Sequence, residues 1–200
     1  MGETDLHRDW MFRILELLKH RYRNERVYVS SDLLVYFEEG NPRKFVVPDV
    51  FVVKECEPGR RRVFKTWEEG RTPDVVWEVT FQSTKREDES FKPQSYARIG
   101  VKEYILYDPT LEYLVPPLVG FRLQDGDYVR IEPDDSGAIL CRELGILLQL
   151  EADKLVLRDN KTGDRLLTGT EAADARAQAA EDELRRLRAQ LERGDVEGQQ

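Results

Sequence analysis

Cysteine and histidine are scarce, with two of each in 200 residues. Cys56 and Cys141 stand apart, with no C-x-x-C pair and no histidine beside them. That excludes a thiolate zinc site and a disulfide framework, and it reads as two ordinary thiols in a reducing compartment. His7 and His20 have no partner at metal-ligand spacing and read as the solvated surface of a helix. No apolar run approaches membrane-spanning length, and Met1-Gly2-Glu3-Thr4-Asp5 lacks the apolar stretch of a signal peptide. The expectation is a cytoplasmic protein with no membrane partner. Positive charge is short as well: 31 Lys and Arg stand against 39 Asp and Glu, a net of -8. A generic polyanion binder is excluded, while a local basic patch that grips phosphates stays open.

What is present divides into a body, residues 1–168, and a tail, residues 169–200. The body begins with a helix from Asp5 to about Tyr22, where Met11, Ile14, Leu15, Leu18 and Tyr22 recur at helical spacing and Thr4 or Asp5 can cap the start. Val27 to about Phe37 predicts a strand, and Lys44 to Val53 the next. Pro48 lacks an amide hydrogen, which places that point at a sheet edge or a bulge. Between Cys56 and Arg71, the basic residues Arg60, Arg61, Arg62 and Lys65 alternate with Phe64 and Trp67. This is either a solvated loop or a surface that tracks a nucleic-acid backbone. Thr72 to Thr80 is apolar on both faces and predicts a central strand. A helix over Ser90 to Arg98 follows, with Ser90 as cap and Pro93 in the first turn, and then a strand over Glu103 to Tyr107. Two further hairpins are expected, one on the turn Asp125-Gly126 and one over Leu144 to Arg158.

Two carboxylates carry the chemistry. Asp49 and Glu78 each interrupt an apolar strand, where a carboxylate is costly unless it is paired, hydrogen-bonded or metal-bound. Placed on one face of neighbouring strands, they supply two oxygen ligands for magnesium, with the Val79 carbonyl, water and substrate phosphate completing the shell. Lys92, in a first helical turn, is the candidate to orient the attacking water and stabilise the developing oxyanion, and Lys85 is the fallback. Structural ion pairing is the competing use of Glu78. Asp74 lies four residues before Glu78 on the same strand face, more than about 10 Å away at strand rise. It reads as a strand-start residue.

In the tail, Thr168 and Glu171 have capping-box spacing. Ala173, Ala177, Ala180, Leu184, Leu187 and Leu191 form a heptad seam about three heptads long. So short and alanine-rich a seam needs a partner. A homodimer through this coiled-coil helix is expected, ahead of packing back on the body, with a disordered terminus beyond it.

Pro48-Asp49 followed by Glu78 on the third strand of an α-β-β-β-α-β order resembles the PD-(D/E)-x-K nuclease superfamily. More closely, the chain resembles the Uma family of restriction-endonuclease-like proteins. The likeness is carried by Pro48-Asp49-Val50, Pro73-Asp74-Val75-Val76-Trp77-Glu78-Val79, Ser83-Thr84, Asp88, Lys92, Tyr96, Gly100-Val101-Lys102-Glu103-Tyr104 and Asp108-Pro109. It covers roughly residues 5 to 150. The resemblance implies an α/β fold with a restriction-endonuclease-like αβββαβ core, to which the turn signals and the heptad seam add C-terminal β-hairpins and a coiled-coil helix. It further implies a Mg2+-dependent endonuclease acting on DNA, with Mn2+ able to substitute. Asp49 and Glu78 would be metal ligands and Lys92 the catalytic lysine. Thr80 stands where the superfamily has its E-x-K lysine, so Lys92 on the helix replaces it, and Phe81 stands where the family has serine. Two alternatives accompany this reading: an inactive nuclease fold that binds DNA or protein, and an interaction module whose partner is recruited through the coiled tail.

Overall fold

The computed structural model describes residues 4–80 and 92–197, with side chains described as far as residue 190. Ser83, Thr84, Lys85, Asp88 and the expected cap Ser90 lie outside the described residues, as do Phe81 and the side chain of Leu191. Met1–Leu166 form one compact unit and Leu167–Gln200 a second.

The first unit is mixed α/β. A helix α1 (Asp5–Arg21) precedes β1 (Val27–Ser31), β2 (Val35–Tyr36), β3 (Phe45–Val46), β4 (Val50–Lys54), β5 (Phe64–Lys65), the one-turn α2 (Thr66–Glu69), β6 (Val75–Val79), α3 (Lys92–Ile99) and β7 (Glu103–Tyr107). Then come β8 (Leu118–Gln124), β9 (Asp127–Arg130), β10 (Ile139–Cys141), β11 (Ile146–Glu151) and β12 (Lys154–Asp159). The main sheet runs β1-β4-β6-β7-β8-β9, with β6 and β7 parallel and every other pair antiparallel. Leaving aside the short β2, β3, β5 and α2, the order is α1-β1-β4-β6-α3-β7, the αβββαβ arrangement expected.

Two expected strands are each divided. Val27 to Phe37 breaks at Asp32, which takes a positive φ of 45°, and the pieces join different sheets. Lys44 to Val53 breaks at Pro48, which has no N–H for the ladder and turns its carbonyl to the Asp32 amide at 3.1 Å. The Asp125-Gly126 hairpin forms, with both turn residues at positive φ as a type I′ turn requires.

Strand alternation splits the core in two. Val50, Val52, Val75, Trp77, Val79, Ile105 and Tyr107 face α1 and the small β10-β11-β12 sheet. Phe51, Val53, Val76, Tyr104 and Leu106 face α3, through Tyr96, together with Val35 and Phe64 of the β3-β2-β5 sheet. α1 lays down Met11, Ile14, Leu15 and Leu18, each worth about 1.5–3 kcal/mol when fully buried. Gly120 lets β10 come close, since an added Cβ would meet Ile139 Cγ2 at 2.9 Å.

In the second unit, α4 (Gly169–Glu197) opens with the expected capping box. The Thr168 amide donates to Glu171 at 2.9 Å and the Glu171 amide to Thr168 Oγ1 at 3.2 Å. Leu184 and Leu187 of the seam are exposed.

Candidate active site

The β4–β6 ladder ends at Val50 opposite Trp77, and one step further sets Asp49 opposite Glu78. Both carboxylates therefore come to the same end of the central sheet. The Pro48 carbonyl accepts from the Asp32 amide, and the Val79 amide donates to the Asp49 side chain, to Oδ2 at 2.7 Å. His7 Nε2 lies 3.1 Å from the same oxygen. A carboxylate only accepts, so this ring nitrogen carries the proton and donates.

His7 is 4 % exposed, which overturns its reading as solvated helix surface. Thr4 caps α1 by accepting from the His7 amide at 3.2 Å. The cap fixes His7 in the first turn with its ring against Asp49. A separation of 42 residues left nothing local in the sequence to indicate the pair.

The Glu78 side chain is fully buried. Lys92 Nζ donates to its Oε2 at 2.8 Å, and the Tyr96 hydroxyl donates to its Oε1. Lys92 and Tyr96 are four apart on α3, so one helix face delivers both to one carboxylate. Burial first, and then the Glu78 charge, hold the Tyr96 phenol well above its ordinary pKa, with the Asp49 charge adding to the effect. Tyr96 therefore stays protonated and serves as a donor. It is a site residue that sequence reasoning left without a role, although its spacing from Lys92 was there to be read.

Among the described residues no three His, Cys, Asp or Glu side chains gather closely enough to hold a metal ion together. Two carboxylates at a sheet end still suit magnesium, which keeps most of its water. The Lys92 side chain is 23 % exposed, while the Glu78 side chain it bonds is fully buried.

Other candidates fall away from this centre. Asp74 accepts from Lys102 Nζ and from the Lys54 amide, each at 2.7 Å, at the opposite end of β6. The basic and aromatic stretch is largely absorbed by the fold. Arg61 forks onto Glu69 at 2.6 and 2.9 Å and lies 4.1 Å above the Tyr28 ring, while Phe64 is fully buried. Arg60 and Arg62 remain exposed.

Residues 1–154 match the family model of Uma2, described as a putative restriction endonuclease. The chain belongs to the Uma2 family. This Uma2 chain is also similar to the crystal structure of a putative nuclease belonging to DUF820 from Anabaena variabilis. The two share 12 % sequence identity at a TM-score of 0.54, over 72 % of this chain and 76 % of that one. Such an identity speaks for the fold alone. The curated proteins contain no match. Family and fold together make this a nuclease-type protein.

Proposed function

We propose that this chain is a metal-dependent endonuclease that hydrolyses phosphodiester bonds in DNA, acting in the cytoplasm. The observation that carries the reading is the opposition of Asp49 and Glu78 at one sheet end, with Lys92 bonded to Glu78. Asp49 and Glu78, with the Val79 carbonyl, would hold Mg2+ or Mn2+. The ion, when bound, lowers the pKa of a water and offsets charge on the phosphate. The chain's own residues do the rest. His7 and the Val79 amide fix the Asp49 carboxylate. Tyr96 fixes Glu78 without competing for its charge. Lys92, held by Glu78, presents a cation that orients the attacking water and stabilises the developing oxyanion.

The test is cleavage of supercoiled and linear DNA with Mg2+ or Mn2+ by wild type and by Asp49→Ala and Glu78→Ala. Loss of metal-dependent cleavage in both variants is expected, and cleavage unchanged in either would sink the assignment. A second reading, a nuclease fold retained for binding alone, draws support from both Glu78 oxygens being engaged by Lys92 and Tyr96. Its mark is DNA affinity without cleavage under either metal.

The exposed Leu184 and Leu187 on α4 support self-association as a homodimer. Two active sites per assembly would follow, giving paired strand cuts. Light scattering that returns a monomer contradicts this part.

A further inference from the structure

A groove of about 410 Å³ opens on the α3 face of the sheet, beside the candidate site. Its floor is Leu106, Leu114 and Val119, all buried. Leu106 stands opposite Glu78 in the β6–β7 ladder, and Val119 opposite Leu106 in the next. Carboxylate and floor thus share one rung of the sheet, at about 5 Å per strand. Pro93 on the near wall directly follows Lys92.

Phe121 and Tyr128 form the aromatic wall, edge to face at 6.5 Å. Tyr104 stacks on Phe121 at 6.1 Å, and Tyr96 meets Tyr104 at 5.3 Å. An aromatic row therefore runs from the phenol that binds Glu78 to the groove. The Tyr128 hydroxyl donates to the Val101 carbonyl at 2.8 Å, which fixes its ring. At the rim Arg130 is exposed and has no ion-pair partner among the described residues. Val115, at the mouth, is 95 % exposed.

We propose that this groove receives an unstacked nucleobase of the substrate strand, next to the phosphate held at Asp49 and Glu78. The inference rests on the nuclease reading for that phosphate alone. An apolar floor with a fixed aromatic wall suits any base, because every base offers a π-face, and Arg130 suits the backbone that leads to it. A base inside an intact duplex cannot enter. The preferred substrate is therefore single-stranded DNA or a locally opened duplex. An apolar peptide would gain nothing from the cation at the rim.

The experiment is fluorescence anisotropy in EDTA, which measures binding without cleavage. The probes are an oligothymidylate, an abasic strand of the same length and a duplex. Wild type should bind the oligothymidylate about tenfold more tightly than the abasic strand. Phe121→Ala should erase that difference while leaving abasic binding within about twofold. Val115→Gln narrows the mouth from an exposed position that folding does not depend on, and should do the same. Equal wild-type affinity for the two single strands overturns the inference, as does an equal loss on both strands in the variants. If duplex is cleaved with metal and no base dependence appears, the groove inference fails and the nuclease reading stands. Base-dependent binding with no cleavage under Mg2+ or Mn2+ upholds the groove and removes the nuclease reading.

Discussion

Two glutamates lie inside the central sheet on neighbouring parallel strands, and their surroundings differ in kind. Glu103, at the start of β7, accepts from five donors: Arg122 through Nε at 2.9 Å and Nη2 at 2.7 Å, the amides of Arg142 and Glu143, and the Cys141 thiol. These partners come from β8 and from the β10–β11 segment, so the carboxylate ties two sheets together. Glu78, at the far end of β6, accepts among the described residues from Tyr96 and from Lys92, whose side chain is partly exposed, and Asp49 stands opposite. One end of the sheet is closed by an acid that ties two sheets together, and the other holds an acid bonded to a partly exposed lysine. Burial of a carboxylate is therefore a weak sign of function by itself. What surrounds it decides.

The comparison can be broken first at Glu103. Replacing it with alanine strands Arg122 and two amides, and should cost about 3–5 kcal/mol of stability in urea titration. Glu78→Gln should cost far less, on the order of 1 kcal/mol, because Lys92 can turn to water. Equal losses would erase the distinction between the two ends. Next comes Lys92→Ala, expected to lower metal-dependent cleavage by about 10²–10³-fold in a protein still folded by circular dichroism, though less stable for the buried Glu78 charge it leaves. Cleavage kept at the wild-type rate would remove Lys92 from the chemistry.

Asp108 sharpens the contrast, being a buried carboxylate at the same end of the sheet as Glu78 whose two oxygens are taken up by the loop that follows it. Burial pushes its pKa up, but Thr110 and the amides of Tyr113 and Leu114 outweigh that and hold the carboxyl below the ordinary range. A pKa lowered on folding contributes stability that is present above the unfolded value, about 4, and is lost as pH falls through the folded one. Asp108→Asn should flatten this part of the acid-side decline in stability, measured by urea titrations at stepped pH. An unchanged slope would show the loop does not depend on that charge. The smallest effect concerns Cys141. Burial first, then Glu103, keeps the thiol well above its usual pKa. It should resist alkylation in the native state and react only on unfolding, and rapid native labelling would mean the Glu103 end opens readily.

Much of this architecture was legible because it is written locally. The α1 stripe, the Asp125-Gly126 turn and the Thr168–Glu171 capping box each depend on residues within a turn or two. Asp49 and Glu78 stood out because a lone acid in an apolar strand is conspicuous wherever the strands pair. His7 did not, since its burial depends on a partner across the fold that no periodicity announces. Arg61 looked like part of a solvated patch and instead turns inward, because Glu69 and the Tyr28 face are there to receive it. The strand expected over Val27 to Phe37 ran too far because the apolar residues on either side outweighed Asp32, a residue scarce in strands and tolerant of the positive φ it adopts. β10, three residues long, is too short to show an alternating pattern.

The central claim is that Asp49 and Glu78 act together on one ion. Calorimetric titration of Mn2+ or Mg2+ into wild type and into the Asp49→Ala, Glu78→Ala double variant tests it most directly. Wild type should give a saturating isotherm and the variant only heats of dilution, with both proteins folded by circular dichroism. Identical isotherms would contradict it, leaving Glu78 as a structural partner of Lys92 and Tyr96.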